Sequence, residues 1–512
     1  MTTLTKEIER KYEIGDGGEV PTLSDLAGVA TESGLQVLEL EATYFDTVDL
    51  RLARDRITLR RRVGGTDAGW HLKLPVGKDS RDELYAPLGE SITPPAELVV
   101  MVQARIRGAA LVPVARIDTV RHRRALLNRE GRLLAEVVDD RVSASDLGTR
   151  PGMSGESTVE CWREVEVELG EGGGTELLDL VEARLAEVGA RTCRAGSKLR
   201  RVLAARLSEP VTRPRTGRRA SALDAVLAYV HTQVEKLKLY DPLARRDTPD
   251  AVHQLRVAVR RTRSALQAFG EVLDRKRTRE LTDELRWLSG ELGAARDLEV
   301  LRERFESVVG ALPAELVIGP VPARLARHFA RAETMAQDTV RVVLDEPRYF
   351  ALLDKVEALL SDPPAGARAR TPARKQLPRA VRRAYRRVRN RILLAESLPP
   401  GTERETALHE TRKAAKRLRY ASEIAMPAVG KPARRFRRDV KALQQLLGEH
   451  QDSVLARPVL RELGMQAHLK GENGFTFGLL YGRELDRAAE LAAEAVPAWA
   501  KLGKRKRCAW FT

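Results

Sequence analysis

The sequence predicts a multidomain protein: an N-terminal α+β unit organised on a closed or nearly closed antiparallel sheet, followed by an all-α unit built from two similar, pseudo-symmetric helical bundles. Three observations carry this. A chain of 512 residues exceeds what one core accommodates, at roughly 100–200 residues per domain. Its texture changes near residue 208, from short alternating runs and Gly-containing turns to long Ala-, Leu-, Glu- and Arg-rich segments. Its charge changes at the same place: residues 1–208 carry 30 Lys+Arg against 34 Asp+Glu, net −4, and the remainder carry 59 against 38, net +21. The expected division is 1–208, a Pro- and Arg-containing linker at 209–219, a helical domain at 220–500 and a solubilising basic tail at 501–512 that contains Lys504 to Arg507.

Composition narrows the class. The three cysteines, Cys161, Cys193 and Cys508, have neither metal-ligand spacing nor the even number of a disulfide framework, which points to a reducing, intracellular setting. Cys161 and Cys193 have no evident activating neighbours and read as small buried residues. No N-terminal apolar run and no stretch of about 20 apolar residues is present, so the expected location is cytoplasmic, without a membrane. The +21 half favours a polyanionic partner.

In the N-terminal unit, alternation places strands at Lys6–Ile14, Leu38–Asp46, Ile57–Val63, Gly69–Pro75, Ile117–Asn128, Arg132–Val142 and Trp162–Leu169. Helices are expected at Pro21–Ser33, Pro94–Arg105 and Thr175–Val188. Glu7-Ile8-Glu9-Arg10-Lys11 turns two acids and an ammonium onto one face of the first strand. Later strands repeat the pattern: Arg60 with Arg62, His71 with Lys73, Arg121 with Arg123, Glu136 with Asp140, and Glu164 with Glu166 and Glu168. The opposite faces hold Leu59, Trp70, Leu72, Leu74, Val165 and Val167. If those apolar faces pack outward against helices, the charged faces converge on one lumen. Acids and bases together suit a phosphate polyanion held by fixed cations, with Mg²⁺ or Mn²⁺ held by carboxylates.

The ordered series Glu7-x-Glu9-x-Lys11, Tyr44-Phe45-Asp46-Thr47, Leu59-Arg60-Arg61-Arg62, Trp70 to Pro75, Arg81-Asp82-Glu83, Glu164 to Leu169 and Ser197-Lys198 resembles the CYTH family, or triphosphate tunnel metalloenzymes, over residues 1–208. The resemblance implies an eight-stranded antiparallel β-tunnel that hydrolyses a linear triphosphate with Mg²⁺ or Mn²⁺. It implies Glu7, Glu9 and Lys11 as the catalytic group, with Glu7 and Glu9 ligating metal together with either Glu164 and Glu166 or Glu166 and Glu168. Glu136 and Asp140 are secondary ligand candidates. Lys11, Arg60, Arg62, Lys73, Arg121 and Lys198 would hold phosphate oxygens, assisted by Arg123. Such chemistry rests on positioning and charge neutralisation, with a water oriented by a carboxylate as nucleophile.

Beyond residue 219 the pattern is helical, about ten helices punctuated at Pro242, Pro249, Pro313 to Pro322, Pro363-Pro364, Pro399-Pro400, Pro427 and Pro432. It contains an internal repeat. His253-x-x-Arg256 with Arg260 and Arg263 recurs as His409-x-x-Arg412 with Lys416 and Arg419, and Leu292-Gly293 with Asp297 recurs as Leu447-Gly448 with Asp452. Positions i, i+3, i+7 and i+10 fall within an arc of roughly 80° on a helix, so each set is a basic stripe without acids of its own. With Arg260-Arg261-x-Arg263, Arg296-Asp297, Arg412-Lys413, Lys416-Arg417-x-Arg419-Tyr420 and His450-x-Asp452, the paired stripes resemble the CHAD family, the conserved histidine α-helical domain, over about 220–500. That resemblance implies binding of inorganic polyphosphate by His253, Arg256, Arg260, Arg263, His409, Arg412, Lys413, Lys416 and Arg419; association with polyphosphate granules is the matching expectation for location.

Two similar-looking patterns lack a required residue. The position of a second zinc-ligating histidine after His409-Glu410 is Lys413, and Gly196-Ser197-Lys198 lacks a preceding glycine-rich loop. Nucleic acid is disfavoured as the polyanion, because aromatics are 4% of the chain and only Tyr420 stands among the stripe cations. The leading expectation is an inorganic triphosphatase coupled to polyphosphate binding. The alternatives are a polyphosphate-binding scaffold with little turnover, or a thiamine triphosphatase, nucleoside triphosphatase or adenylate cyclase.

Overall fold

Side-chain alternation in the first 207 residues is resolved by closing the sheet on itself. The computed structural model describes residues 3–15, 18–75, 80–148, 159–193, 197–207 and 214–511. Gly196, the first part of the expected linker and the side chain of Arg296 lie outside that description. The chain divides into two compact units, Met1–Pro210 and Val211–Thr512.

Among the described residues ten strands form one sheet: β1 (Thr3–Glu13), β2 (Thr31–Glu32), β3 (Gln36–Asp46), β4 (Thr58–Val63), β5 (Gly69–Pro75), β6 (Ser80–Ala86), β7 (Val112–Leu127), β8 (Leu133–Asp146), β9 (Val159–Leu169) and β10 (Arg191–Thr192). Their order β1-β6-β5-β4-β3-β7-β8-β9 closes by antiparallel pairing of β9 with β1, giving the expected eight-stranded barrel, while β2 and β10 attach as short extensions. Closure pairs the two terminal strands of the eight, β1 and β9, with each other instead of leaving them as edges.

The barrel is apolar outside and charged inside. Helix α4 (Thr175–Glu187) packs Leu177, Leu178, Val181 and Leu185 over Tyr12, Val137, Val165 and Val167. On another side, the short helices α1 (Arg51–Arg54), α2 (Ala96–Met101) and α3 (Gln103–Ile106) cover Leu59, Trp70, Leu72, Leu74 and Leu84. At one end the inward positions become apolar, with Ala42, Ala115, Ile117, Val142, Ala144 and Trp162 packed against Leu199 and Leu203. These two leucines belong to α5 (Lys198–Val202) and the turn after it, so this end of the lumen has an apolar floor.

Asp46 locks the turn after β3. It is fully buried, and its carboxylate accepts from the backbone N–H groups of Thr47 (2.7 Å), Leu52 (2.9 Å) and Ala53 (2.9 Å), satisfying donors at the start of α1.

The helical unit has ten long helices among the described residues: α6 (Ala222–Arg245), α7 (Ala251–Ala268), α8 (Arg279–Glu291), α9 (Gly293–Gly310), α10 (Val321–Asp345), α11 (Pro347–Ser361), α12 (Ala373–Ser397), α13 (Thr402–Val429), α14 (Lys431–Leu469) and α15 (Phe475–Leu502), then the short α16 (Arg505–Cys508). Helices α6 to α10 and α12 to α15 are the two copies of the repeat. The rod that breaks at Leu292 into α8 and α9 runs unbroken through Leu447-Gly448 in α14. Helices α7 and α13 pack on each other, and one core joins Phe305 and Phe329 of the first copy to Leu460, Leu463 and Phe477 of the second. None of the described helices is long and apolar enough to cross a membrane.

Several local expectations are corrected. Pro21–Ser33 is turn plus the two-residue β2; Gly28 has φ +92°, and the side chain of Glu32 accepts from Leu23 N–H. The segment Ser80–Ala86, which lacked a strand assignment, is β6. Pro242 and Pro427 lie inside α6 and α13, each within the last turn, where a lost N–H disturbs little downstream helix. Cys161 is exposed and Cys193 half-buried, because they lie at the end of β9 and beside β10. The expected solvated tail packs instead. Phe511 is 2% exposed and stacks among Tyr385, Phe436 and Trp510, and Arg382 donates to its carbonyl at 2.6 Å.

Asp46→Ala leaves three buried N–H groups without an acceptor. At about 1 kcal/mol or more for each such group, the β unit is expected to lose roughly 2–4 kcal/mol. Urea denaturation of the full chain, followed by hydrogen exchange in β3 and β4, measures this; an unchanged midpoint for those amides refutes the locking role.

Candidate active site

Inward alternation of eight strands builds a lumen of about 300 Å³ lined by charged side chains. Register decides who meets whom: Glu7 lies opposite Arg81, Glu9 opposite Glu168, Lys11 opposite Glu166, Arg60 opposite His71 and Arg121 opposite Asp140. Burial is deep, with Glu7, Glu9, Arg62, Asp140, Glu164, Glu166 and Lys198 each no more than 9% exposed.

Charges of opposite sign interleave. Lys73 donates to both oxygens of Glu7, at 2.6 and 2.7 Å. Lys11 bridges Glu166 and Glu9, the latter at 3.0 Å. Lys198, placed at the start of α5 by the Ser197 cap, reaches Glu164 and Glu166 at 2.7 Å and Asp140 at 2.9 Å. Arg121 grips Asp140 through two bonds of 2.8 and 2.7 Å and touches Glu166 at 3.3 Å. Nearer the open end, Arg123 pairs with Glu136 and Arg62 with Asp67. Arg60 approaches the Tyr44 hydroxyl at 3.4 Å.

The three acids of β9 differ in their surroundings, which alternation could not reveal. Burial opposes ionisation of Glu166, yet Lys11, Lys198 and Arg121 hold its carboxyl well below the usual range. Glu164 accepts from Trp162 Nε1 at 2.7 Å, and its other oxygen lies in an ion pair with Lys198 without a hydrogen bond. Glu168 instead faces Glu7 and Glu9; burial and those two acids push its carboxyl up to about 8. One oxygen of Glu9, Oε1, is buried without a hydrogen bond.

Among the described residues, no three carboxylate, imidazole or thiol groups form a ready coordination cluster, since lysines stand between the acids. The donor chemistry nevertheless fits a hard divalent cation. Glu168 is repelled by both Glu7 and Glu9, and Oε1 of Glu9 has no hydrogen bond, with only the longer 3.6 Å ion pair to Arg81. Asp140 is saturated by Arg121 and Lys198, and Glu136 is tied to Arg123.

Sequence reading missed several lumen residues: Tyr44, Thr58, Asp67, Arg81, Glu83 and Thr119 all line it. Arg81 and Glu83 have the parity signal, had Ser80–Ala86 been read as a strand. Asp67 sits on the β4–β5 turn, where no periodicity exists to find it.

In the helical unit, α7 and α13 bring Arg256, Arg260, Arg412 and Lys416 together. Burial, then Arg412, Arg260 and Arg256, push the Lys416 ammonium down to about 6. Arg260 donates to the Tyr420 hydroxyl at 3.0 Å. Arg263 meets Arg417, Arg286 and Arg260, whose charges add to burial in lowering its pKa. The stripes lack acids of their own, but α9 and α14 supply them. Asp297 pairs with Arg256 at 3.2 Å, and Asp452 faces Arg412 and Lys416. Gly293 accepts from Arg256 at 3.0 Å, and Gly448 lies beside Arg412, which explains why Gly and Asp recur together.

Not every stripe residue joins the cluster. Lys413 turns away to Glu410 at 2.7 Å, and Arg419 pairs with Glu423 at 3.4 Å. His409 contacts Gln451, and His253 is half-buried at the start of α7. His450, 3% exposed, faces Glu405, Arg457 and Arg404 rather than the stripe.

Comparison with known proteins agrees with this division. Residues 5–202 match the CYTH domain and residues 228–461 the CHAD domain. The "Uncharacterized protein MT2285" of Mycobacterium tuberculosis (strain CDC 1551 / Oshkosh) is 40% identical over 513 residues, covering 98% of this chain and 97% of its own. Among solved structures, PptA from Streptomyces chartreusis is similar at 22% identity, with a TM-score of 0.45 over 55% of this chain and 100% of its own. The CHAD domain from the plant Ricinus communis is similar at 24% identity, with a TM-score of 0.45 over 58% and 98%. With a charged eight-stranded tunnel ahead of a duplicated helical bundle, the chain belongs to the CYTH family of triphosphate tunnel metalloenzymes, fused to a CHAD domain.

Proposed function

We propose that the tunnel hydrolyses inorganic triphosphate with Mg²⁺ or Mn²⁺ and that the helical unit binds inorganic polyphosphate. The lumen lining carries the first part: seven candidate phosphate-binding cations, Lys11, Arg60, Arg62, Lys73, Arg121, Arg123 and Lys198, face a space of about 300 Å³. Among the described lining residues Tyr44 is the one aromatic ring, and its hydroxyl is engaged with Arg60, which leaves little stacking surface for a base or thiazole. This favours a bare phosphate chain over a nucleotide or thiamine ester.

Each lumen lysine now neutralises an acid, and a bound triphosphate supplies replacement anions. Lys11, Lys73 and Lys198 would exchange carboxylate partners for phosphate oxygens, while Arg60 and Arg121 orient the chain. Exchange would release Glu7 and Glu9, which with Glu168 would hold the divalent cation; Glu166, ringed by cations, would stay a positioning anion. When bound, the metal supplies charge neutralisation and water activation. Walls closed by ion pairs limit bulk water, so fixed charges act at full strength on the equatorial oxygens.

A scaffold with little turnover is the second reading, favoured by the ion pairs that occupy the acids. Glu9→Gln separates the two. On the enzymatic reading, Mg²⁺- or Mn²⁺-dependent phosphate release from tripolyphosphate falls roughly 100-fold or more, with polyphosphate binding unchanged. Wild-type turnover in the folded variant removes Glu9 from the site.

For the helical unit, simultaneous replacement of Arg256, Arg260, Arg412 and Lys416 by Ala is expected to weaken long-chain polyphosphate binding. The slope of log affinity against log salt should drop by roughly 0.7 per lost contact. Unchanged affinity at 0.15 M salt, the physiological value, places binding elsewhere.

The low pKa of Lys416 adds a pH test. A polyanion against this amine raises its pKa above the free value of about 6, so binding takes up a proton. Affinity is therefore expected to fall as pH rises from 6 towards 8. Lys416→Arg, which stays charged, should flatten that dependence in calorimetry; an equal slope in both proteins refutes the assignment. On this reading the helical unit would recruit the enzyme to polyphosphate, including cytoplasmic granules.

A further inference from the structure

The open end of the tunnel carries an anion of its own. The apolar floor under α5 closes off the end marked by Tyr44, Ala144 and Trp162. The opposite end, where β3 begins and β4 turns into β5, holds Arg62, Arg123 and the turn residue Asp67. The Asp67 carboxylate pairs with Arg62, which is 6% exposed, and its charge is also felt by Arg60, Arg121 and Arg123. Its own side chain is 50% exposed, which places it at the mouth.

The turn is held, not loose. Gly64 has φ +86°, and a Cβ there would come within 2.3 Å of the Glu39 carbonyl, so only glycine lets the turn lie this close to β3. His71 Nε2 meets the Asp67 carbonyl at 2.8 Å, while Nδ1 is held by Glu83 at 2.8 Å. Tyr85 donates to the Ala68 carbonyl at 3.0 Å. Two hydrogen bonds to the backbone, with the close approach at Gly64, thus fix where the carboxylate stands.

We propose that Asp67 is the chain-length determinant of the tunnel: a fixed negative charge at the mouth that admits a triphosphate and disfavours longer linear polyphosphates. The inference rests on the triphosphatase reading. A phosphate chain seated above the floor, with its oxygens on Arg60 and Arg121, meets the floor on one side and so lengthens past Arg62 towards the mouth. A further phosphate there meets the Asp67 carboxylate and competes with it for Arg62. Like charges in such proximity repel strongly near a protein surface, whereas a triphosphate stops short and finds Arg62 already oriented.

The test uses the full-length protein, Asp67→Asn and Asp67→Glu, with tripolyphosphate and tetrapolyphosphate as substrates. Calorimetric binding of both chains without divalent metal gives a readout independent of turnover. Asn keeps the size and an oxygen for Arg62 but removes the charge. The tetra-to-tri ratio of kcat/KM is expected to rise roughly tenfold in Asp67→Asn, chiefly through a lower KM for tetrapolyphosphate, with a matching shift in the binding ratio. Asp67→Glu should keep the wild-type ratio. An unchanged ratio in Asp67→Asn, or parallel loss for both chains, overturns the proposal and reduces Asp67 to a positioning residue for Arg62, while the triphosphatase reading stands. If the wild type neither binds nor hydrolyses either chain, the triphosphatase reading falls, and this inference with it.

Discussion

A carboxylate removed from water needs a cation beside it, and the interior of the barrel is built to meet that requirement many times over. Glu7 has Lys73, Glu9 has Lys11, Asp140 has Arg121 and Lys198, and Glu166 has three cations at once. Apart from Glu9 and Lys11, which share β1, the partners come from different strands or, for Lys198, from α5, so pairing the charges is coupled to closing the sheet. The surplus is informative. Glu168 gathers with Glu7 and Glu9 instead of with a dedicated lysine, and its raised pKa records burial first and then the negative charge of those neighbours. Such an imbalance costs stability in the free protein, and it marks where a cation from outside would be most strongly favoured.

Inverting the usual barrel, with charge inside, transfers the hydrophobic burden outward. The outer faces of β4, β5, β8 and β9 need covering, and α1 to α4 cover them. The same elements serve the lumen: α5 both floors it with Leu199 and delivers Lys198 to three acids. Stability and site chemistry are therefore coupled through residues only one position apart.

The helical unit solves a related problem differently. Four cations on α7 and α13 stand together with few acids, and Lys416 yields by moving to a pKa of about 6. Asp297 and Asp452, one from each copy of the repeat, relieve part of the repulsion. Duplication explains the arrangement: one stripe leaves a one-sided basic face, whereas two copies packed through α7 and α13 place a second set of cations opposite the first.

The sequence alone determined the two fold classes, the family of each half and the parity of most of the charged lumen residues, because alternation along a strand and spacing along a helix are local and survive without a partner. Arg60, Lys73, Arg121 and Glu166 were therefore legible one by one. What only the tertiary structure decided is their pairing, since register links residues 155 positions apart, as in Lys11 and Glu166. It separated Glu164, Glu166 and Glu168, which share one parity but not one environment. It turned Lys413 away from the stripe, brought Phe511 into an aromatic cluster and raised Asp67 to the mouth of the tunnel. Loop and terminal positions have no period to read, and a lone side chain acquires its role there only from the surface that folding brings against it.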